Sequence, residues 1–415
     1  MKSLMILLCA VLSVTHAWGQ GTRVYDNSIR SVRTNLGGQW DAAPVLTLGG
    51  GNHIEISFDD MQHNFVRYNY TLSHYDSEWN HSDLLESEFA AGFHENQIHE
   101  YEQSVNTQME YLHYTLRIPN EDIQPLISGN YKVTVYDDNE DDPLFETCFY
   151  IVEPKVGITM TVDGNTDIDT YAAHQQVSFT INHSSYYLQN PASDLKPVVY
   201  QNRRPDTRVS GLKPTYMRTN ELIYSHNRRL IYPAGNEYRR FEILDPYVPT
   251  MHVERMQYHE PFYHAILFGD EPRENYIFDQ DQDGRFIIRN DDNYENDYLS
   301  DYFFTHFTLF SAELSGGSYY VCGDLTNNQY TELNRMAYNL VDHCYEAVIP
   351  LKQGTYNYQY LFVPDDSPYG LTAEAEGDFH QTENEYTLFV YHRPFGCRYD
   401  KLVGYLTMMH NKKGH

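Results

Sequence analysis

The residues that come nearest to a catalytic motif in this sequence are two histidines, His94 and His99, with Glu95 beside the first. The zinc protease motif His-Glu-x-x-His places two imidazoles four positions apart so that both lie on one helix face. Here the histidines are five positions apart. On 3.6-residue geometry that spacing turns the second ring through about 500°, roughly 140° out of register. We therefore predict polar loop histidines and no zinc centre.

A second candidate is the acidic segment Asp279–Arg285, which resembles the first half of a calcium-binding EF-hand loop. It has acids at positions one, three and five and a glycine at position six. Position twelve is Asn290, where that loop needs a bidentate glutamate, and neither flank has a helical pattern. The preferred interpretation is a hairpin turn that opens a strand. Calcium bound by Asp279, Asp281 and Asp283 is the alternative, and no other cofactor is predicted.

Neighbouring carboxylates occur at several places, most notably at Asp59 and Asp60. Acid–base catalysis needs two acids that face each other across a cleft. Adjacent residues on an extended chain point to opposite sides instead, so we predict that Asp59 caps a turn. The sequence also has no Gly-x-Ser-x-Gly elbow, no Walker loop and no Cys-x-x-Cys pair. We predict no catalytic residue and no enzyme.

The net charge of the chain argues against two classes of binding partner. Its 415 residues include 58 acidic and 29 basic side chains, which gives a net charge of −29. Nucleic acids and anionic membrane surfaces both need a positive footprint on the protein. Neither is a predicted partner.

The first 19 residues have the pattern of a secretory signal peptide. Met1-Lys2 is a basic start, Leu4 to Val14 is apolar, and Ala17 and Gly19 are the small residues before the cleavage site. The apolar run is too short to span a bilayer. No other stretch reaches that length, so we predict an exported protein without direct membrane insertion.

Four cysteines follow the predicted signal peptide: Cys148, Cys322, Cys344 and Cys397. An exported protein could pair them, as Cys322–Cys344 or as Cys344–Cys397. The preferred interpretation is that they are buried free thiols that act as small apolar side chains.

Short strands separated by turn residues account for most of the sequence. Apolar residues alternate with polar ones in 53–58 and again in 65–72, which predicts two half-buried antiparallel strands. The polar segment between them predicts a hairpin. The stretch 81–109 is polar and lacks such alternation.

The predicted fold is all-β, with three consecutive immunoglobulin-like β-sandwich domains after a cleaved signal peptide. The predicted boundaries are 1–19 for the signal peptide, 20–153 for an N-terminal sandwich, 154–296 for a middle sandwich and 297–415 for a C-terminal early-set immunoglobulin-like sandwich.

An ordered set of aromatic, glycine, asparagine and acidic residues runs through both ends of the chain. The set is Phe58, Asp59, Asp60, Tyr68, Tyr70, Trp79, Gly92, Phe93, Asn106, Tyr111, Tyr114, Gly129, Tyr131, Gly354, Tyr356, Tyr358, Asn384, Tyr399, Asp400, Gly404 and Tyr405. In this order the residues resemble those of the plug proteins of the type IX secretion system of Bacteroidetes-type bacteria. The first part resembles the N-terminal domain of that family. We predict that these positions are structural.

The resemblance implies a non-catalytic protein of the periplasm, associated with the inner face of the outer membrane. Such a protein would bind the large outer-membrane β-barrel translocon and occlude its periplasmic opening. A second interpretation is an exported glycan-binding β-sandwich protein, or an accessory module of a glycan-processing complex. Sugar binding needs aromatic rings on a flat face, and the last predicted domain contains no tryptophan, which favours the first interpretation.

Overall fold

Antiparallel β-sheets form nearly all of the regular structure. The computed structural model describes residues 20–62, 65–291 and 297–411. The predicted signal peptide lies outside the described residues. The predicted all-β sandwich fold is confirmed, because the described strands form sheets that pack face to face around hydrophobic cores.

The N-terminal domain consists of the first twelve strands and one helical turn. In chain order its elements are β1 (Arg23–Val24), β2 (Ile29–Leu36), β3 (Val45–Thr47), β4 (Ile54–Asp60), β5 (Asn69–Tyr75), α1 (Glu86–Phe89), β6 (Ala90–Gly92), β7 (Asn96–Gln97), β8 (Glu100–Gln103), β9 (Leu112–Ile118), β10 (Ile123–Pro125), β11 (Gly129–Tyr136) and β12 (Phe145–Val152). One sheet has the order β1-β12-β11-β5-β7, with β3 parallel to β12, and the facing sheet has the order β2-β4-β9-β8. The alternating residues Ile54, Ile56 and Phe58 are fully buried between the sheets, as period-two patterning predicts.

The predicted hairpin between β4 and β5 is wrong. Strand β4 pairs with β2 and β9, whereas β5 pairs with β11 and β7, so the two strands lie in opposite sheets. The rings of Phe58 and Tyr68 meet across the core with centroids 5.6 Å apart. Alternation shows that each strand has one buried face. Two consecutive strands show the same alternation whether they pair in a hairpin or lie in facing sheets, so the pattern does not distinguish the two arrangements.

Seven further elements follow residue 153. They are β13 (Gly157–Asp163), β14 (His174–Asn182), α2 (Pro191–Asp194), β15 (Leu195–Gln201), β16 (Tyr216–Arg218), β17 (Glu221–Tyr224) and β18 (Ile231–Pro233). They do not form a closed domain by themselves. Strand β15 pairs along its whole length with β28 (Asn384–His392), and β28 pairs with β29 (Lys401–His410). We call β13–β18 together with β28 and β29 the split domain.

The inserted domain lies between the two parts of the split domain. Its strands are β19 (Arg239–Ile243), β20 (Val253–His259), β21 (Phe262–Leu267), β22 (Phe286–Ile288), β23 (Tyr302–Leu309), β24 (Gly317–Cys322), β25 (Ala337–Asn339), β26 (Cys344–Lys352) and β27 (Gly354–Pro364). A five-stranded sheet, β20-β21-β23-β26-β25, packs on a sheet in which β27 pairs with β19, β22 and β24. The described residues also include three short 3-10 turns, at Pro205–Thr207, Arg228–Leu230 and Asp324–Thr326.

The predicted boundary between residues 296 and 297 is therefore wrong. Strands on its two sides share sheets, since β15 pairs with β28 and β19 and β22 pair with β27. The two ends of the insertion lie together, because the carbonyl of Gly235 accepts hydrogen bonds from the Phe379 amide at 2.9 Å and the Thr382 hydroxyl at 2.8 Å. Adjacent ends allow one domain to interrupt another without disturbing it.

A fourth hydrophobic core joins the N-terminal domain to the split domain. Val45 and Val152 from the first domain pack with Tyr200, Phe389 and Leu402 from the second. All nine residues of β28 are buried. This strand is covered on both faces, by its own domain on one side and by the N-terminal domain on the other, which is why its sequence is apolar at successive positions.

The predicted turn before β22 is present, but it does not make a hairpin. Asp283 and Gly284 have φ angles of 53° and 82°, and the amide of Arg285 donates to the carbonyl of Gln282 at 3.2 Å. Strand β22 then pairs with the distant β27. The turn depends on the residues within it, whereas the partner of β22 depends on the assembly of the whole sheet.

Candidate functional site

A buried carboxylate, that of Asp59, joins the N-terminal domain to the inserted domain. Asp59 Oδ2 lies 2.6 Å from Nζ of Lys352 and accepts a hydrogen bond from the Tyr302 hydroxyl at 2.5 Å. Asp59 Oδ1 lies 2.6 Å from Nδ1 of His113. Lys352 is the last residue of β26 and Tyr302 the first of β23, so two of the three partners come from the inserted domain.

Further charges of alternating sign surround this carboxylate. Arg33 Nη2 lies 2.6 Å from Oδ1 of Asp297, whose Oδ2 is 3.7 Å from Nε2 of His113. The ammonium of Lys352 also lies 4.2 Å from the ring centroid of Tyr111, a cation–π distance. We call the group Arg33, Asp59, His113, Asp297, Tyr302 and Lys352 the Asp59 junction.

The charged neighbours in the Asp59 junction favour the ionised forms of its two aspartates. Burial opposes ionisation of Asp59, but Lys352 and His113 outweigh it and hold the pKa of the carboxyl below its usual range. The side chain of Asp297 is 33% exposed, and Arg33 with His113 holds its pKa below its usual range. Buried charges are tolerated when they are paired and hydrogen-bonded in this way. The junction therefore acts as a bond between domains.

The prediction that Asp59 caps a turn is wrong, and its neighbour has that role. Oδ1 of Asp60 accepts a hydrogen bond from the amide of Gln62 at 2.9 Å, and its Oδ2 accepts one from the Tyr68 hydroxyl at 2.8 Å. The two acids do point to opposite sides of β4, as expected for an extended chain. The prediction for Asp59 failed because the pleat of β4 determines which of the two acids faces the turn, and that acid is Asp60.

Asp400 joins the N-terminal domain to the split domain in a similar way. One carboxylate oxygen accepts hydrogen bonds from the amide and hydroxyl of Ser77 at 3.0 and 2.7 Å. Nζ of Lys196 lies 3.0 Å away and Nε of Arg393 lies 2.8 Å away. Burial opposes the ionised form of Asp400, but Ser77 and Lys196 lower its pKa.

A third buried acid, Asp206, joins the split domain to the inserted domain. Its Oδ2 lies 2.6 Å from Nη2 of Arg204 and accepts hydrogen bonds from the Tyr330 hydroxyl at 2.8 Å and the Gly370 amide at 3.0 Å. Each pair of domains is thus joined by a carboxylate that is bound by several hydrogen-bond and ion-pair partners. Such contacts resist relative motion more than a wet, polar domain interface does.

The predicted motif positions are distributed over cores and junctions rather than around one cleft. The buried ones are Phe58, Asp59, Asp60, Tyr68, Tyr70, Trp79, Tyr111, Tyr114, Gly129, Tyr131, Gly354, Tyr356, Tyr358, Asn384, Asp400 and Gly404. Tyr399 and Tyr405 are partly exposed, and Gly92, Phe93 and Asn106 are exposed. Phe93, at 74% exposure, has no place in a core.

The residues that sequence reasoning missed are the partners of the junction acids. They are His113, Lys196, Tyr302, Lys352 and Arg393. One weak signal was available, because Lys352 directly follows the apolar Leu351 at the end of a strand. A lysine in such a place needs a buried partner, but nothing local identifies which acid supplies it.

The three aspartates considered for calcium do not converge. Asp279 Oδ1 pairs with Nη2 of Arg240 at 2.6 Å, Asp281 accepts hydrogen bonds from the amides of Tyr238 and Asp283, and Asp283 Oδ2 lies 3.2 Å from Nη1 of Arg285. Within the described residues, no group of three or more histidine, cysteine or acidic side chains is arranged to bind a metal ion.

The histidine and cysteine candidates have ordinary surroundings. His94 is exposed, and its Nδ1 lies 2.9 Å from Oε1 of Glu86. Cys148, Cys322 and Cys344 are buried, and Cys397 is partly exposed. Neither predicted disulfide pairing is formed.

The architecture and the sequence of this chain are both similar to those of known proteins. The molecule belongs to the class of multi-domain β-sandwich proteins, and residues 29–153 match the model of the type 9 secretion system plug protein 1st domain. Residues 29–153 therefore form a type 9 secretion system plug protein first domain, and this domain indicates a role related to type IX secretion. The resemblance seen in the sequence is thereby confirmed.

A solved structure is similar over almost the whole chain. It is the crystal structure of a hypothetical protein from Parabacteroides merdae ATCC 43184, with 43% sequence identity and a TM-score of 0.92. The match covers 94% of this chain and 100% of that chain, so the split and inserted domains are shared features. No curated protein matches the chain. Among the described residues, no helix is long and apolar enough to cross a membrane.

Proposed function

We propose that the protein is a non-catalytic periplasmic plug. In this role it binds the large outer-membrane barrel translocon of the type IX secretion system and occludes its periplasmic opening. The observation that carries the proposal is the match of residues 29–153 to the first domain of type 9 secretion system plug proteins.

The domain junctions support an occluding role. A wide aqueous opening is closed only by a body that keeps its shape under thermal motion. Asp59, Asp206 and Asp400 each join a different pair of domains through buried contacts. A buried carboxylate held in the ionised form by lysine, arginine and hydroxyl partners is poorly suited to exchange protons with a substrate, which is consistent with binding rather than turnover.

The proposal is tested by purification from native membranes. The protein, tagged at its C-terminus and expressed from its own locus, is extracted in mild detergent and captured. We expect a very large barrel protein to be recovered with it in a near-stoichiometric amount. An unrelated tagged periplasmic β-sandwich protein is the control. Recovery of the intact tagged protein without any barrel would refute the proposal.

Occlusion has a separate readout. Deletion of the gene should make the outer membrane more permeable to large hydrophilic antibiotics, because an unplugged pore conducts them. Re-expression of the wild-type protein should restore resistance. Unchanged permeability in the deletion strain would leave binding intact and contradict the plugging role.

A further inference from the structure

A cleft with a volume of about 440 Å³ lies between the split domain and the inserted domain. The split domain lines it with four arginines, Arg204, Arg208, Arg228 and Arg229. Among the described residues at its wall, Asp206 is the single acid. The whole chain has 58 acidic and 29 basic side chains, so the balance of charge in the cleft is the reverse of that in the molecule. We call it the arginine cleft.

Two of the four arginines are already paired. Nε and Nη2 of Arg204 lie 3.1 and 2.6 Å from the two carboxylate oxygens of Asp206, so these charges cancel. Nη2 of Arg208 lies 2.9 Å from Oε2 of Glu78 in the N-terminal domain. The positive charge that remains for a ligand is therefore carried by Arg228 and Arg229.

Arg228 and Arg229 are neighbours on a short 3-10 turn, and both are exposed. Within the residues that the structure describes, neither side chain forms an ion pair. Asp167 lies near Arg228, but Nε2 of Gln176 and Nδ1 of His226 already bind its two oxygens, at 2.8 and 2.9 Å. Two adjacent guanidinium groups are thus available to an anion from solvent.

A tyrosine without a hydrogen-bond partner also lines the arginine cleft. Tyr232 is 4% exposed, and its hydroxyl makes no hydrogen bond within the described part of the chain. Burial raises the pKa of Tyr232 well above its usual range, and the nearby charge of Arg229 only partly opposes this, so the group remains an O–H donor. A buried donor without an acceptor is unfavourable. An oxygen of a bound anion would supply that acceptor.

The opposite wall of the arginine cleft is apolar and fixed in place. Tyr369 and Leu371, from the loop after β27, are both exposed and line the cleft. The backbone of Leu371 is tied to Phe362 on β27 by two hydrogen bonds, of 2.8 and 3.0 Å. Small-molecule sites combine an apolar wall with a few polar groups that fix the orientation of the ligand. This wall therefore suits the carbon skeleton of an organic anion.

We propose that the arginine cleft binds a small organic oxyanion, a phosphate monoester or a carboxylate, through Arg228, Arg229 and the hydroxyl of Tyr232. The planar guanidinium group matches both kinds of oxyanion, because it donates two parallel hydrogen bonds to a pair of oxygens. The carbon part of the ligand lies against Tyr369 and Leu371. This binding site is a function additional to plugging, and it does not depend on the translocon.

The test titrates the full-length mature protein with three probes by isothermal calorimetry. Phenyl phosphate carries a phosphate monoester, benzoate carries a carboxylate, and phenol carries the ring without the charge. We expect at least one of the two anions to bind with a Kd below about 1 mM, and phenol not to bind. The stronger anion identifies the preferred oxyanion. Its binding should weaken as salt is added, because salt screens exposed charges. Failure of both anions to bind at concentrations up to about 10 mM would refute the proposal.

Substitutions locate the bound anion. Arg228→Gln combined with Arg229→Gln keeps the size of both side chains and should weaken binding by roughly tenfold or more. Arg218→Gln is the matched control, since Arg218 lies in the same domain, outside the cleft, with a side chain that is 72% exposed. Tyr232→Phe should also weaken binding, without lowering the thermal midpoint, because its hydroxyl has no partner to lose in the free protein.

Two results of these substitutions would overturn the assignment. Thermal melting first verifies that each variant is folded. If the double arginine variant binds the anion as tightly as the wild type, the anion does not occupy the arginine cleft. If the control Arg218→Gln weakens binding as much as the double variant does, the attraction is a general effect of positive charge and no specific site exists.

Discussion

Nζ of Lys352 lies 2.6 Å from Oδ2 of Asp59, and the two residues are 293 positions apart in the chain. Both side chains are buried, at 1% and 0% exposure. The pair forms only when the inserted domain is in place on the N-terminal domain, so it reports on assembly of the whole molecule rather than on either domain alone.

Loss of the lysine should be costly. Lys352→Met leaves Asp59 charged in a dry site with one of its partners gone, and breaking a buried pair from one side costs about 3–5 kcal/mol. We expect the free energy of unfolding in urea to fall by that amount. The thermal midpoint should fall with it.

A double substitution distinguishes charge from packing. Asp59→Asn combined with Lys352→Met removes both charges, and replacement of a whole buried pair is often close to neutral. The double variant should therefore be more stable than Lys352→Met alone. Equal or greater destabilisation in the double variant would show that the pair does not act as a charge couple.

A second prediction concerns the backbone at Gly92, which has a φ of 128°. A side chain there would overlap the carbonyl oxygen of Asp122, which directly precedes the adjacent β10. Gly92→Ala should therefore lower stability by about 2 kcal/mol or more, from backbone strain and overlap together. Gly51→Ala is the control, since a Cβ at Gly51 meets nothing within 4 Å. A similar melting temperature for the two variants would contradict the argument.

The strands could be predicted from the sequence because alternation is a local property. Ile54, Ile56 and Phe58 follow it on β4, and all three are buried. The choice of partner is not local. Leu195, at the start of β15, pairs with His392, and no pattern near either residue specifies the other. For this reason a strand such as β4 could be predicted, whereas the domain boundary at residue 296 could not, and the short strands β6, β7 and β8 within 81–109, where alternation is absent, were missed.

The junction chemistry could not be predicted for a related reason. Asp59 and Asp60 have the same side chain and lie next to each other just before the same turn, so turn chemistry favours either one as a cap. Only the fold shows that Asp60 faces Gln62 while Asp59 faces Lys352. A buried charge is recognised by its partner, and here the partner lies in another domain.

The pH dependence of stability should show a buried acid, Glu237, that lies just before the inserted domain. Burial raises the pKa of Glu237 to about 7. Between about pH 4.3, the usual pKa of glutamate, and pH 7, the unfolded chain loses this proton while the folded chain keeps it. The folded state then binds more protons, so the free energy of unfolding falls as pH rises through this window.

Replacement by glutamine removes this contribution. Relative to the wild type, Glu237→Gln should gain stability as pH rises from 4.5 to 7.5, on the order of 2 kcal/mol. Urea unfolding at several pH values measures the difference. Glu332→Gln, at a side chain that is 87% exposed, is the control and should show no such trend. Parallel pH profiles for the wild type and Glu237→Gln would disprove the prediction.

The last prediction follows from the interruption of the split domain by the inserted domain, and it compares two deletions. A chain that ends at residue 296 lacks β28 and β29, and the split domain then loses Tyr386, Leu388, Val390 and Val403 from its core. Strand β15 also loses its partner. We expect this fragment to be insoluble or unfolded, even though it ends at the boundary that the sequence pattern suggests.

Removal of the inserted domain alone should be tolerated far better. Residues 238–377 are replaced by a short glycine–serine linker, which needs little length because the Phe379 amide already lies 2.9 Å from the Gly235 carbonyl oxygen. The split domain keeps both of its sheets in this chain. We expect a soluble protein with cooperative thermal unfolding by circular dichroism, at a lower midpoint because Asp59 and Asp206 lose the partners that the inserted domain supplies. A folded 20–296 fragment together with an unfolded deletion chain would reverse our assignment of the domains.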